Sequence, residues 1–410
     1  MTVSRIARHM LLMALALPLI LPELAFAQQR REVDPNVTVL ERPRPEYDPL
    51  GMRAGSFRVL PELAITGAYS DNVEFDEDDE ESDFIFTLRP AVELQSDWSR
   101  HSLGVELGSE LGFYADQNDN DYEDFFADGD GTLEISRQTN LRANAGIRQG
   151  HEDQSEGNND EVEKFYAFDG GLSLSHQLNR FIVTLGGDAE RVKFDDNDND
   201  DENRYEYNAL LRGTYDVSPR LDVFTEGRYN VLDYDERQDV TGNDQDSDGF
   251  EIQVGAGLDL TTVLFGEAFV GYRKQNFDQD DQDEDGVSFG ADLNWNVTQL
   301  TSIGLTARRD FQPSDEAGAN SNFQTQIGLS VAHEFLRNLV VDGSAIYEND
   351  DFRGDSNRDD DIIRLGVGAT YWVNRNASLN AGYEFSDRDS NQIGQDYTAN
   401  EISIGLTLRL

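Results

Sequence analysis

From residue 57 to the end, apolar and polar positions alternate with a period of two. Phe250, Ile252, Val254, Ala256, Leu258 and Leu260 alternate with Glu251, Gln253, Gly255, Gly257 and Asp259. Leu379, Ala381, Tyr383 and Phe385 alternate with Ser378, Asn380, Gly382 and Glu384. The last segment sets Ile402, Ile404, Leu406, Leu408 and Leu410 against Ser403, Gly405, Thr407 and Arg409. Successive side chains on a strand point to opposite faces, so each segment has one apolar and one polar face. Helical repeats need a period of about 3.6 and do not fit. A propeller blade buries both faces of its inner strands, whereas one face here stays polar throughout.

Two kinds of break separate the segments. Short polar turns recur at Ser96–Arg100, Arg137–Asn140, Gln177–Arg180, Ser218–Arg220, Thr261–Val263, Thr298–Leu300, Leu336–Asn338 and Asn374–Asn376. Between consecutive turns lies a longer, acidic break. The count from Phe57 to Leu410 is eighteen strands, eight short turns and nine loops. A water-soluble sandwich also has half-buried strands. Long strands, an even number of them, strict alternation of turn and loop and an apolar last strand favour a membrane barrel. The predicted class is all-β: a transmembrane antiparallel up-and-down β-barrel of about 18 strands. Pro61 and Pro90 each remove a ladder donor, so the first two strands are expected to bulge or start late, with sixteen strands as the alternative.

A bilayer core holds no water for open backbone groups, so the sheet must close on itself. Eighteen strands enclose a lumen wide enough for water. The apolar face then meets lipid and the polar face meets the lumen. Aromatics crowd the loop ends of the strands (Tyr69, Phe113, Tyr122, Phe125, Tyr205, Tyr229, Tyr234, Tyr272, Phe277), as an interfacial belt would. Short turns are periplasmic and long loops external in such barrels. The longest loop has 14 residues, too short to reach the centre of the lumen.

Two N-terminal segments stand outside this pattern. Arg5 and Arg8 precede an apolar run from Met10 to Leu21 that closes on Ala25–Ala27, which reads as a signal peptide over residues 1–27. Residues 28–50 form a Pro-rich periplasmic segment, expected to be extended and either an idle linker, a plug or a docking strand. Residues 51–410 are the barrel.

Composition sharpens the picture. The chain has 410 residues, no Cys, 35 Gly, and 33 Lys plus Arg against 81 Asp plus Glu, a net charge of −48. Disulfides and thiolate metal sites are excluded, and a nucleic-acid partner is disfavoured by charge. The nine loops hold 44 acidic and 4 basic side chains, so −40 of the −48 belongs to the external rim.

The stretch Gly51–Leu63 (GMRAGSFRVLPEL), with Tyr69–Asn72, Ser82-Asp83, Arg89-Pro90 and Ser96–Arg100, resembles the outer-membrane β-barrel porin family associated with exopolysaccharide operons. The resemblance implies a channel in the bacterial outer membrane that passes secreted polysaccharide and works with periplasmic polysaccharide-export proteins. It supplies no residue-level motif. A general diffusion porin and a surface adhesion barrel with a cation-binding rim are the alternatives.

The alternation itself nominates the pore-lining set: Glu106, Glu110, Arg142, Arg148, Asp188, Arg212, Glu226, Arg228, Glu251, Asp259, Asp292, Arg308, Arg364 and Glu384. Mixed charges among Asn, Gln, Ser and Thr suit a hydrated conduit, though cross-strand ion pairs stiffening the wall explain the same residues. Only Phe224 and Trp372 stand out as inward aromatics. Asp281, Asp283, Asp285 and Asp292 have calcium-loop spacing, and Asp244, Asp246 and Asp248 part of it. Without the flanking helix the expectation is no dedicated cofactor, only Ca²⁺ or Mg²⁺ loosely held at the loops and bridging to lipopolysaccharide. Of the mature histidines only His151, near Asp153, is expected at the external rim, so enzymatic activity is not expected.

Overall fold

The computed structural model describes residues 37–410 except 79, 153–162, 196–201, 238–243, 261–262, 279–282, 314–318 and 355–357. The expected signal peptide and residues 28–36 therefore lie outside the described residues. Eighteen antiparallel strands, each paired with its neighbours in sequence, form one sheet, and a three-residue strand β1 (Met52–Ala54) adds a small hairpin to its start. The sheet closes where β19 (Tyr397–Arg409) pairs with β2 (Phe57–Ser70), from Glu401↔Ser70 to Arg409↔Glu62. Closure leaves no strand edge for the bilayer to strand without partners.

Exposure follows the period of two. On β17 (Asp359–Asn374) Ile363, Leu365, Val367, Tyr371 and Val373 are exposed while Asp360, Ile362 and Arg364 are buried. In a membrane barrel the exposed apolar row is the lipid face and the buried polar row faces inward.

The prolines are accommodated without shortening a strand. β2 and β3 (Asp83–Ser96) pair continuously through Pro61↔Val92 and Leu63↔Pro90. Pro61 lies beyond the last β19 pair at Glu62. On its other side β3 skips pairing with β4 (His101–Tyr114) at Arg89 and Pro90, resuming at Ala91↔Gly108. Each missing N–H thus faces a gap, which is why eighteen strands survive and the sixteen-strand alternative falls.

The aromatic crowding resolves into two layers back to back. Tyr69, Phe113, Phe125, Tyr205, Tyr229 and Tyr272 are exposed on the outer face. Phe165, Phe194, Tyr234, Phe277, Phe352 and Tyr397, at the same ends of their strands, are buried on the inner side. The sequence pattern merged these into one belt because crowding along the chain does not report face.

Candidate functional site

Register fixes how the inner face is built. β10 (Leu221–Tyr234) pairs β11 (Ser247–Leu260) with Phe224 opposite Gly255 and Asp222 opposite Gly257. A Cβ on Gly255 would strike the Phe224 ring and one on Gly257 the Asp222 carboxylate. The same holds for Asp130 over Gly104, Phe126 over Gly108, Ser344 over Gly366 and Asp342 over Gly368. Inward side chains therefore lie flat along the wall, each in the space of a cross-strand glycine. The structural use of these glycines is to seat a neighbour's side chain.

Arginines cover the rings so seated. Arg212, on β9 (Arg204–Ser218), stacks 3.7 Å from the Phe224 centroid and reaches Glu226 at 3.4 Å. It also reaches Glu267 on β12 (Leu264–Phe277). Arg89 stacks 5.3 Å from Phe126, with Glu106 and Glu110 at 3.8 and 3.9 Å. Glycine, ring, guanidinium and carboxylate thus recur as a layered unit. Partly exposed stacking of this kind contributes about 1 kcal/mol.

All fourteen nominated residues fall on the face opposite the exposed apolar rows. Arg212, Glu226 and Arg228 come together, with Arg228 bonding Glu226 at 2.6 Å. Asn208 donates to Asp188 at 2.9 Å, Ser288 donates to Glu251, and Arg308 pairs Asp310 at 2.7 Å. Arg364 approaches Glu348 at 3.8 Å. Arg142, Arg148, Asp259 and Glu384 share the inward face without joining that group. What sequence reasoning missed is the partner set: Arg89, Phe126, Glu267, Asp310 and Glu348. Their alternation was visible, but only register across strands shows who meets whom. The inward aromatics were also undercounted, since Phe126, Phe165, Phe194, Phe265, Phe269, Phe277 and Phe352 join Phe224 and Trp372.

The calcium-like patterns are dispersed. Asp281 lies outside the described residues. Asp283 pairs Lys274 at 2.9 Å and Asp285 accepts from the Tyr272 hydroxyl at 2.8 Å, on the outer side. Asp292, on β13 (Glu284–Thr298), points inward and accepts from Asn294 at 3.0 Å. Seven residues of strand, about 23 Å, and opposite faces separate Asp285 from Asp292. Asp244 pairs Arg237 at 3.1 Å, Asp246 takes the Tyr234 N–H at 2.7 Å and Asp248 the Tyr229 hydroxyl at 3.4 Å. Burial pushes the Asp246 carboxyl above its ordinary pKa.

At the loop end, two hairpins tuck inside the wall. β14 (Thr301–Pro313) leaves β13 beyond the Phe289↔Arg309 pair but stays paired with β15 (Ala319–Leu336) up to Pro313↔Ser321. Phe311 joins Leu232, Tyr234 and Phe277 in a buried cluster, and Phe323 fills the space over Gly286, 3.2 Å from where its Cβ would be. The strand ends of this hairpin, Phe311 and Phe323 among them, thus enter the mouth. β6 (Thr139–Glu152) likewise leaves β5 (Tyr122–Ser136) beyond Phe125↔Gln149. His151 then stacks 3.9 Å from the inward Tyr122 ring, its Nδ1 2.9 Å from Asp124. The expected neighbour Asp153 lies outside the described residues.

At the turn end, residues 37–48 sit against inward side chains. Val39 is fully buried beside Ala332, Val340 and Trp372, and its N–H donates to the Ser302 hydroxyl at 2.8 Å. Arg44 stacks 4.5 Å from Trp372 and lies 3.6 Å from Glu334. Burial pulls the Arg44 guanidinium below its ordinary pKa, and Glu334 partly offsets this. The segment is not the extended linker that its prolines suggested. Thr38 donates twice to Glu41, and Tyr47 and Asp48 donate to the Arg44 carbonyl, making two tight turns.

The family described as "Putative beta-barrel porin 2" matches residues 44–410. Similar solved structures include OccK2 (OpdF) of Pseudomonas aeruginosa, at 10% identity and a TM-score of 0.48, over 86% of this chain and 97% of that one. The outer membrane protein OpdK of the same organism has 10% identity and a TM-score of 0.47, over 86% and 99%. No curated protein matches the chain.

Proposed function

The chain belongs to that porin family and is a channel of the bacterial outer membrane, and from this premise we propose that it passes a hydrated polysaccharide outward. The flat, polar inner coat carries this reading. Side chains seated over glycines and bonded to one another, such as Asp188 with Asn208 and Ser288 with Glu251, coat the wall with polar groups. A sliding polymer is served by many weak, equivalent hydrogen bonds, whereas a tight site would hold it back. The sequence resemblance to porins of exopolysaccharide operons supports the same substrate class, with periplasmic export proteins as partners.

A general diffusion porin is the second reading, favoured by the inward-tucked β14–β15 hairpin that narrows the mouth. Planar-bilayer recordings with neutral oligosaccharides of increasing length separate the two. Export of a polymer predicts transit events whose duration grows with chain length. Complete exclusion beyond a few sugar units would defeat it and leave the diffusion porin.

A further inference from the structure

We propose that residues 38–48 are a displaceable strap that narrows the turn-end mouth of the channel. The inference rests on the channel reading and adds a moving part to it. The strap follows the inner rim over one sector of the wall. It starts at Asn296, whose amide donates to the Val37 carbonyl at 3.1 Å, and ends where Gly51 N–H donates to the Leu410 carbonyl at 3.1 Å. Between these, Arg375 donates to the Pro45 carbonyl at 2.8 Å and Arg337 pairs Glu46 at 3.6 Å.

The character of these contacts makes the strap removable. Val39 is its one fully buried apolar side chain; apart from the buried Arg44, the strap is held by polar contacts of Arg42 and by the exposed Glu46–Arg337 pair. Such contacts exchange for water at small net cost, so seating is held weakly compared with the strand ladders. Its own turns, Thr38 to Glu41 and Arg44 to Asp48, travel with it when it leaves. The Arg44–Trp372 stack is the latch, because Arg44 also donates to the Val39 carbonyl at 2.7 Å and so ties the apolar anchor to the ring. Removing the strap uncovers Trp372 and Val340 and widens the entrance along that sector.

The chain has no cysteine, so single thiols report cleanly. In the full-length barrel, a Val39→Cys thiol is expected to react with a bulky PEG-maleimide far more slowly than Leu50→Cys, and faster when Trp372→Ala is added. The label prevents reseating, so conductance of single channels is expected to rise on labelling. A Val39→Cys/Ser302→Cys disulfide is expected to block labelling and hold conductance at the wild-type level. Equal reactivity at positions 39 and 50 overturns the seat, and labelling without a conductance change overturns the narrowing. A barrel that conducts nothing even when labelled or lacking residues 38–48 overturns the channel reading itself, which is a different failure.

Discussion

The Arg212 guanidinium lies 3.7 Å above the Phe224 ring, whose outer end occupies the place of a side chain at Gly255. Removing Arg212 costs the stack and leaves the buried Glu226 with Arg228 alone. Arg212→Leu is expected to lower barrel stability in urea by about 1–2 kcal/mol, since Glu226 keeps Arg228 as a partner. A cycle with Phe224→Ala should show coupling of about 1 kcal/mol between the two. Strictly additive losses would refute the layered unit.

The glycine beneath the ring makes its own prediction. Gly255→Val drives a side chain into Phe224 and the Ala268 carbonyl, whereas Gly213 has nothing within 4 Å of its Cβ position. Gly255→Val should cost about 1–3 kcal/mol from overpacking, and Gly213→Val should be near neutral. Heat-modifiable migration on gels after refolding reads both. Equal folding of the two variants would count against flat-lying side chains as the reason for glycine.

Ile404 is 68% exposed at mid-strand on the outer face, and Ser403 next to it faces inward. Ile404→Arg should cost about 2–4 kcal/mol in lipid vesicles, the range for a cation on the lipid face near the midplane. Ser403→Arg should cost much less, since its charge stays in water. A reversal of that order would mean that the faces are assigned the wrong way round.

Phe311 and Phe323 pin the β14–β15 hairpin inside the mouth. Phe311→Asp puts a charge among Leu232, Tyr234 and Phe277 and should free the hairpin. Open-channel current should then become noisier while the barrel stays folded. Unchanged current noise in a folded Phe311→Asp barrel would show that the hairpin is held by its strands alone.

The external loops carry −40 of the charge, and we propose that they hold divalent ions only diffusely. Calcium and magnesium at matched ionic strength should then raise the melting temperature equally. A selective calcium response, removed by Asp283→Asn or Asp285→Asn, would establish a defined site instead.

Fold class and strand number were readable because both depend on alternation, which is a property of one strand at a time. Face, however, is lost when a motif spans several strands. Asp285 and Asp292 looked like one ion site along the chain and stand on opposite sides of the wall. Tyr229 and Tyr234 looked like one belt and divide between lipid and lumen.

The sequence by itself determined that a closed sheet must form, that one face of it is apolar and that the charge gathers on one rim. Tertiary structure alone decided which glycine faces which ring, where β14 and β6 leave their neighbours, and that Val39 is buried against inward side chains of the wall. Those outcomes depend on register and on contacts between residues as far apart as Val39 and Ser302, and no local preference of either residue encodes the pairing.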